Sequence, residues 1–177
     1  ARQRLGQLAG KAVALTICED AWNDKSFWEN RLYSVDPVEE LMKQGAGLIL
    51  NISASPWWHG KRALRQEMLA AIARRHRAPV VMVNQVGGND SLVFDGSSLV
   101  LGPDGSVIAQ AKSFEEDLIF ADLANLSGDI HDQAGDEDEA MLEALALGTR
   151  DYVRKCGFSK VVVALSGGID SALVTAI

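Results

Sequence analysis

Three short runs of β-branched and apolar residues, KAVALTI (11–17), GLILNIS (47–53) and PVVMVNQ (79–85), alternate with segments of helical character. That alternation constrains the chain more than any other feature. The runs have the length and composition of buried strands. Residues 37–44 suit a short helix, with Asp36 as N-cap, Pro37 in the first helical position and Gly45 as its stop. From Gly60 to Arg77, Leu64, Met68 and Ile72 recur at helical spacing, which leaves Arg62, Arg65 and Arg74 for a solvated outer face. Strand–helix–strand–helix–strand implies an α/β architecture in which helices cover a sheet. After Gln85 the period shortens to two, in SLVFDGSSLVLGPDGSVIAQA, where Asp95-Gly96 and Pro103-Asp104-Gly105 read as hairpin turns. DLIFADL (117–123) reads as a final strand.

The composition then changes. Residues 125–138, NLSGDIHDQAGDED, are polar and acidic with few large apolar side chains, the signature of a solvated linker. A helix is expected from Glu139 to Lys155, with Met141, Leu142, Leu145, Tyr152 and Val153 as its apolar stripe and Gly157 as its stop. KVVVAL (160–165) reads as a strand that leads directly into SGGIDS and the start of another helix. The chain thus divides into 1–124, a linker 125–138, and 139–177. The last unit is too short to close a core of its own, and both units read as parts of larger domains.

Lys and Arg number 17 against 24 Asp and Glu, a formal charge of −7, with 47% hydrophobic and 23% charged residues. This is the balance of a globular protein and excludes wholesale disorder. An acidic chain lacks the positive field that nucleic-acid backbones require. No stretch approaches the length of a membrane-spanning helix, and the N-terminus lacks the apolar segment of a secretory signal. The two cysteines, Cys18 and Cys156, show no disulfide or metal spacing, which suits a reducing cytoplasm. His59, His76 and His131 show no metal-ligand spacing either. Trp57 and Trp58 read as packing or subunit-contact residues.

Two positions carry chemistry. Cys18 ends an apolar run and is followed by Glu19, Asp20 and Trp22. A cysteine there is either one more small buried residue or a thiol presented on a sharp turn, where backbone N–H groups can hold an oxyanion. Together with NISASP (51–56), Gly60-Lys61-Arg62, VNQVGGND and LVFDGSSLVLGPDGSVIAQA, this segment resembles the C-terminal half of a nitrilase-type amidase domain. Specifically, it is similar to the glutaminase domain of glutamine-dependent NAD synthetases. The resemblance implies a partial α-β-β-α sandwich with Cys18 as the nucleophile that glutamine acylates. It also implies that the Glu19 N–H helps hold the oxyanion, and that Glu19, Ser55 and Lys61 bind the α-amino and α-carboxylate groups of glutamine. The family's general-base Glu and catalytic Lys lie upstream of the nucleophile, outside this chain.

The second position is Ser166-Gly167-Gly168-Ile169-Asp170-Ser171. A glycine turn between a strand and a helix leaves N–H groups free for phosphate, and the helix N-terminus favours negative charge. No GxxxxGK is present, so it is not a Walker A loop. SGGIDS preceded by VVVAL resembles the pyrophosphate loop of N-type ATP pyrophosphatases, the Rossmann-like fold of NAD synthetase domains. The resemblance implies that Ser166, Gly167, Gly168, Asp170 and Ser171 bind ATP, with Asp170 also near Mg²⁺. The pairing implies an ATP-dependent carbon-nitrogen ligase with glutaminase activity. Its substrates would be L-glutamine, ATP and nicotinic acid adenine dinucleotide, and it would be a cytoplasmic homo-oligomer whose isolated fragment is inactive. The alternatives are a free-standing nitrilase-type amidase and a non-catalytic scaffold fragment.

Overall fold

The structure, a computed structural model, describes residues 4–31 and 33–177. Residues 1–3, part of the basic N-terminal stretch, and Leu32 lie outside the described residues. The first half contains β1 (Gly6–Leu8), β2 (Lys11–Ile17), a 3₁₀ helix (Cys18–Asn23), α1 (Pro37–Lys43), β3 (Ile49–Ser53), α2 (Lys61–His76) and β4 (Val80–Asn84). The second half contains β5 (Val86–Asn89), β6 (Leu92–Asp95), β7 (Leu99–Leu101), β8 (Val107–Gln110), β9 (Ala121–Asp122), β10 (Ser127–Gly128), α3 (Glu137–Lys155) and α4 (Ile169–Ala176).

The main sheet has six strands in the order β1-β2-β3-β4-β7-β8. β2, β3 and β4 run parallel, and β1, β7 and β8 are antiparallel to their neighbours. The parallel strands follow one another in a single direction, and right-handed crossovers then place both connecting helices on the same face. The core records this. Ala14, Ile49, Val80, Met82, Leu99 and Leu101 from the sheet meet Val38 and Leu41 of α1 and Met68, Leu69 and Ile72 of α2, all buried. Each of these Val, Leu, Ile and Met side chains withdrawn from water contributes about 1.5–3 kcal/mol to stability. As its sequence announces, α1 is capped by Asp36, whose carboxylate accepts from the Glu39 N–H at 3.1 Å. The opposite face of the sheet carries Leu15, Ile17, Ile52 and Val83, all exposed. One helical layer and one main sheet of the expected sandwich are therefore present.

Several expectations change in the second half. Asp95-Gly96 is not a hairpin turn: β6 pairs with β5, whereas β7 pairs with β4 and β8, so the chain crosses there from a two-stranded ribbon to the main sheet. The ribbon's own turn is at Asp90, with φ +51°. Pro103-Asp104-Gly105 does close a hairpin, with the Gly102 N–H donating to the Ser106 carbonyl at 2.8 Å. In DLIFADL only Ala121–Asp122 is paired, with β10, and Leu118 and Phe120 are exposed. The acidic segment is tied down as well as solvated. Ile130 bridges Gln110 on the β8 edge, and Ala134 is buried.

α3 presents the opposite face from the one expected. Ala140, Ala144 and Leu147 pack with Phe114, Ala134, Trp57, Val86 and Val93, while Met141, Leu142, Leu145 and Tyr152 are exposed. The small residues win this contact because they let the helix approach the glycine-bearing ribbon closely. Residues 160–165 form no strand among the described residues. Nothing pairs with them, and Val162 is 99% exposed. An apolar run becomes a strand only when a neighbour supplies its ladder.

Candidate functional site

The C-terminal ends of adjacent parallel strands form a natural rim for a site. β2 ends at Ile17, and Cys18 follows with φ +44°, a left-handed conformation that costs a non-glycine residue about 1–3 kcal/mol. The turn is held from two sides. The Asp20 carboxylate accepts from the Ile17 N–H at 2.9 Å, and Asn51 of β3 donates from Nδ2 to the Thr16 Oγ1 at 3.0 Å and the Cys18 carbonyl at 3.3 Å. Ser53 in turn donates to the Asn51 Oδ1. Cys18 is half-buried and free. Because the 3₁₀ helix starts on this residue, its first backbone N–H groups lack intrahelical partners.

The thiol lines a cleft of about 630 Å³ bounded by Ile17, Glu19, Asp20, Trp22, Tyr33, Ala54, Ser55, Pro56 and Lys61. All four residues singled out in the first motif, Cys18, Glu19, Ser55 and Lys61, thus meet in one place. Lys61 heads α2, with its Nζ 4.1 Å from the Trp22 ring centroid and 5.3 Å from that of Trp58. Burial lowers its pKa and the Arg65 charge adds to this, partly opposed by Cys18 and Asp95. Among the described residues no ion pair holds its ammonium, which favours an anionic ligand. Glu19 accepts from the Tyr33 hydroxyl at 3.1 Å, a bond that raises the tyrosine pKa.

Ser55 is buried, and its N–H donates to the Asn84 Oδ1 at 2.9 Å. Asn84 Nδ2 reaches Asp95 Oδ1 at 3.1 Å, and Asp95 accepts Arg65 through two bonds of 3.0 and 2.6 Å. Arg65 and Asp95 are each 1% exposed, so Arg65 does not belong to the solvated face expected for it. The sequence held the clue, because Arg65 lies on the same helical stripe as Met68 and Ile72. Tyr33 and this Arg65–Asp95–Asn84 chain escaped sequence reasoning, and Trp22 was noted there only as a neighbour of Cys18. Trp57 packs on Phe114 with ring centroids 5.9 Å apart, and Trp58 faces Lys61.

The second motif forms a local turn apart from the cleft, and none of its residues lines it. Gly167 adopts φ +89°, Gly168 caps α4, and the Ser166 and Ser171 hydroxyls lie 3.0 Å apart. Asp170 is in the first turn of α4. Among the described residues no three His, Cys, Asp or Glu side chains group as a metal site.

A thiol on a strained strand end, with a cation and a carboxylate sharing its cleft, suits acyl transfer from an amide. Comparison with known proteins agrees, since the carbon-nitrogen hydrolase profile matches residues 5–132. The chain belongs to the carbon-nitrogen hydrolase family. A second family model, NAD synthase, matches residues 141–177. The glutamine-dependent NAD(+) synthetase of Synechocystis sp. is 44% identical over 170 residues, covering 93% of this chain and 30% of the relative. That of Thermotoga maritima is 38% identical over 202 residues, covering 93% and 33%. The glutamine-dependent NAD+ synthetase structure from Acinetobacter baumannii, in complex with ADP, superposes on 99% of this chain and 32% of its own, with TM-score 0.83 and 33% identity. An amidase from Nesterenkonia sp. shares the fold over 63% of this chain and 37% of its own, with TM-score 0.51 and 23% identity. The chain spans about a third of the length of the curated relatives it matches. Among the described residues no helix is long and apolar enough to cross a membrane.

Proposed function

We propose that this chain carries the nucleophile-bearing part of the glutaminase domain, and the beginning of the synthetase domain, of a glutamine-dependent NAD synthetase. Residues 1–124 belong to the first, 125–138 connect, and 139–177 open the second. The observation that carries this reading is the convergence of Cys18, Glu19, Ser55 and Lys61 on one cleft, in a chain whose last residues match the NAD synthase profile.

The chemistry follows from the cleft. Lys61 pairs with the α-carboxylate of glutamine, and Glu19 and Ser55 take its α-amino group, which brings the side-chain amide to Cys18. The Cys18 Sγ attacks the amide carbon while the Glu19 N–H steadies the oxyanion. The C–N bond breaks, the thiol proton passes to the departing nitrogen, and ammonia leaves behind a thioester. Water then cleaves the thioester to glutamate and regenerates the thiol. The general base and the catalytic lysine of this scheme come from residues preceding this chain in the whole protein.

At the second motif the exposed Ser166 and Ser171 hydroxyls and the turn at Gly167–Gly168 fit a phosphate chain. Asp170 offers the lone carboxylate that suits Mg²⁺, an ion that keeps water and phosphate oxygens for its other ligands. ATP there would adenylate the carboxylate of nicotinic acid adenine dinucleotide for displacement by ammonia. Two unpaired cysteines fit a cytoplasmic enzyme.

The test is Cys18→Ala in the full-length protein. Glutamine-driven NAD formation should vanish while ammonia-driven formation persists, because the thiol serves only to release ammonia. Equal loss of both in a folded variant overturns the assignment.

A further inference from the structure

The helix that runs into the second family match also backs the Pro56–Lys61 wall of the cysteine cleft at two points. At its first turn, Glu137 Oε2 accepts from the Gly60 N–H at 2.8 Å. Gly60 has φ +84° and immediately precedes Lys61, whose N–H donates to the Trp58 carbonyl at 2.9 Å. The carboxylate therefore holds the Trp58–Lys61 turn on which the cleft's ammonium is mounted. Arg62 strengthens the same junction, donating to the Ala134 carbonyl at 2.9 Å and the Gly135 carbonyl at 3.3 Å.

Farther along α3, Asp151 accepts from the Gly88 N–H at 2.8 Å and Lys155 Nζ donates to the Gly88 carbonyl. The approach is so close that a Cβ on Gly88 would fall 2.9 Å from the Gly148 Cα. Gly88 belongs to the ribbon whose other strand accepts the Trp57 N–H at Val93, 2.7 Å, and whose Phe94 bridges Pro56 of the cleft wall. Helix, ribbon and wall form one continuous set of contacts.

We infer that α3 braces the cleft and that Glu137, in the connecting segment at the start of this helix, is a positioning residue for Lys61 that tunes the glutamine affinity of the hydrolase side. This inference rests on the function proposed above. Glu137 touches neither substrate nor thiol. It acts through the Gly60 N–H, fixing where the Lys61 ammonium stands between Trp22 and Trp58.

The experiment compares Glu137→Ala, Glu137→Gln and Asp138→Ala in the full-length protein, with glutamine and with ammonia as nitrogen donor. Asp138 is exposed, one residue along the same helical turn, and its removal costs the helix dipole a similar charge. Glu137→Ala should raise the KM for glutamine about tenfold, as expected for a lost charge-assisted hydrogen bond, with kcat and the ammonia-driven rate nearly unchanged. Glu137→Gln, which keeps an acceptor oxygen, should recover most of the affinity, and Asp138→Ala should behave as wild type. An unchanged KM in Glu137→Ala, an equal rise in Asp138→Ala, or a parallel fall in ammonia-driven activity overturns the inference. A wild-type protein that makes NAD from ammonia but not from glutamine would instead overturn the proposed glutaminase, whatever the variants do.

Discussion

Two segments of this chain are built alike in sequence and differ in structure. KAVALTI runs into Cys18 and a helical turn, and KVVVAL runs into Ser166 and α4. The first is a strand, bonded on one side to β1 and on the other to β3, with Val13 and Ala14 buried. The second pairs with nothing among the described residues, and its side chains are exposed. The turn that follows each run forms regardless, with φ +44° at Cys18 and +89° at Gly167. A turn depends on a few residues and their own hydrogen bonds. A strand belongs to its neighbours.

The sharpest way to break that comparison is amide hydrogen exchange on the 177-residue piece. Amides of β3 and β4 should open only with global unfolding, about a thousandfold or more slower than free peptide, given a typical stability of roughly 5–15 kcal/mol. Residues 161–165 should exchange near the free rate in the piece and gain protection in the full-length protein. Uniform protection of both segments in the piece would remove the contrast.

Next in size is the buried pair beneath Ser55. Arg65→Ala leaves the Asp95 carboxylate without its guanidinium in a dry site, and should cost about 3–5 kcal/mol in urea unfolding. Ser171→Ala, on the exposed loop, should stay within about 0.5 kcal/mol. Comparable losses would mean that the loop is as integrated as the cleft.

A smaller effect concerns function alone. Lys61→Ala should raise the KM for glutamine in the full-length protein by about ten- to a hundredfold, the equivalent of roughly 1.5–3 kcal/mol for a charged hydrogen bond. Unchanged glutamine kinetics would return Lys61 to the helix surface.

The smallest is a pH dependence confined to the packed region. The hydrogen bond from Lys25 chiefly, with the Lys25, Lys43 and Arg75 charges, lowers the Glu39 pKa from its ordinary 4.5 to about 2, against a desolvation effect that raises it. The folded value lies below the unfolded one, so this stabilisation is complete above about pH 4.5 and is lost as pH falls toward about 2. Lys25→Ala should flatten that acid limb in unfolding midpoints measured across the range. An unaltered limb would assign the acid sensitivity elsewhere, for instance to Asp24. Burial raises the Asp24 pKa, but hydrogen bonds from Ser26 and Arg75 outweigh it and leave the value lowered.

Cys18 was marked by its place at the end of an apolar run, whereas Glu19, Ser55 and Lys61 were named through the resemblance to a glutaminase domain, and the fold brings all four to one cleft. Cys18 and Ser55 follow apolar runs, and Lys61 follows a glycine at a helix start. Arg65 was misread because charge suggests solvent, whereas its position on the Met68–Ile72 stripe points inward and Asp95 makes burial tolerable. Trp22 was noted only as a neighbour of Cys18 and Tyr33 was missed, because no periodicity marks residues that irregular backbone brings to a rim. On α3 the large side chains suggested the packed face, yet Ala140, Ala144 and Gly148 allow the closer contact.

Read alone, the sequence determined what local chemistry controls: the alternation of apolar runs and helices, the Asp36 cap, the turns at Gly167 and Pro103–Gly105, and a cysteine at a strand end. Only the tertiary structure decided which runs are strands, that the hairpin after β4 turns at Asp90 rather than at Asp95-Gly96, which face of α3 packs, and that Glu137 reaches Gly60 across 77 residues. The reason is physical. Caps and turns satisfy their polar groups within a few residues, whereas ladders, buried ion pairs and helix docking depend on groups distant in the chain, whose energies appear only when the fold brings them together.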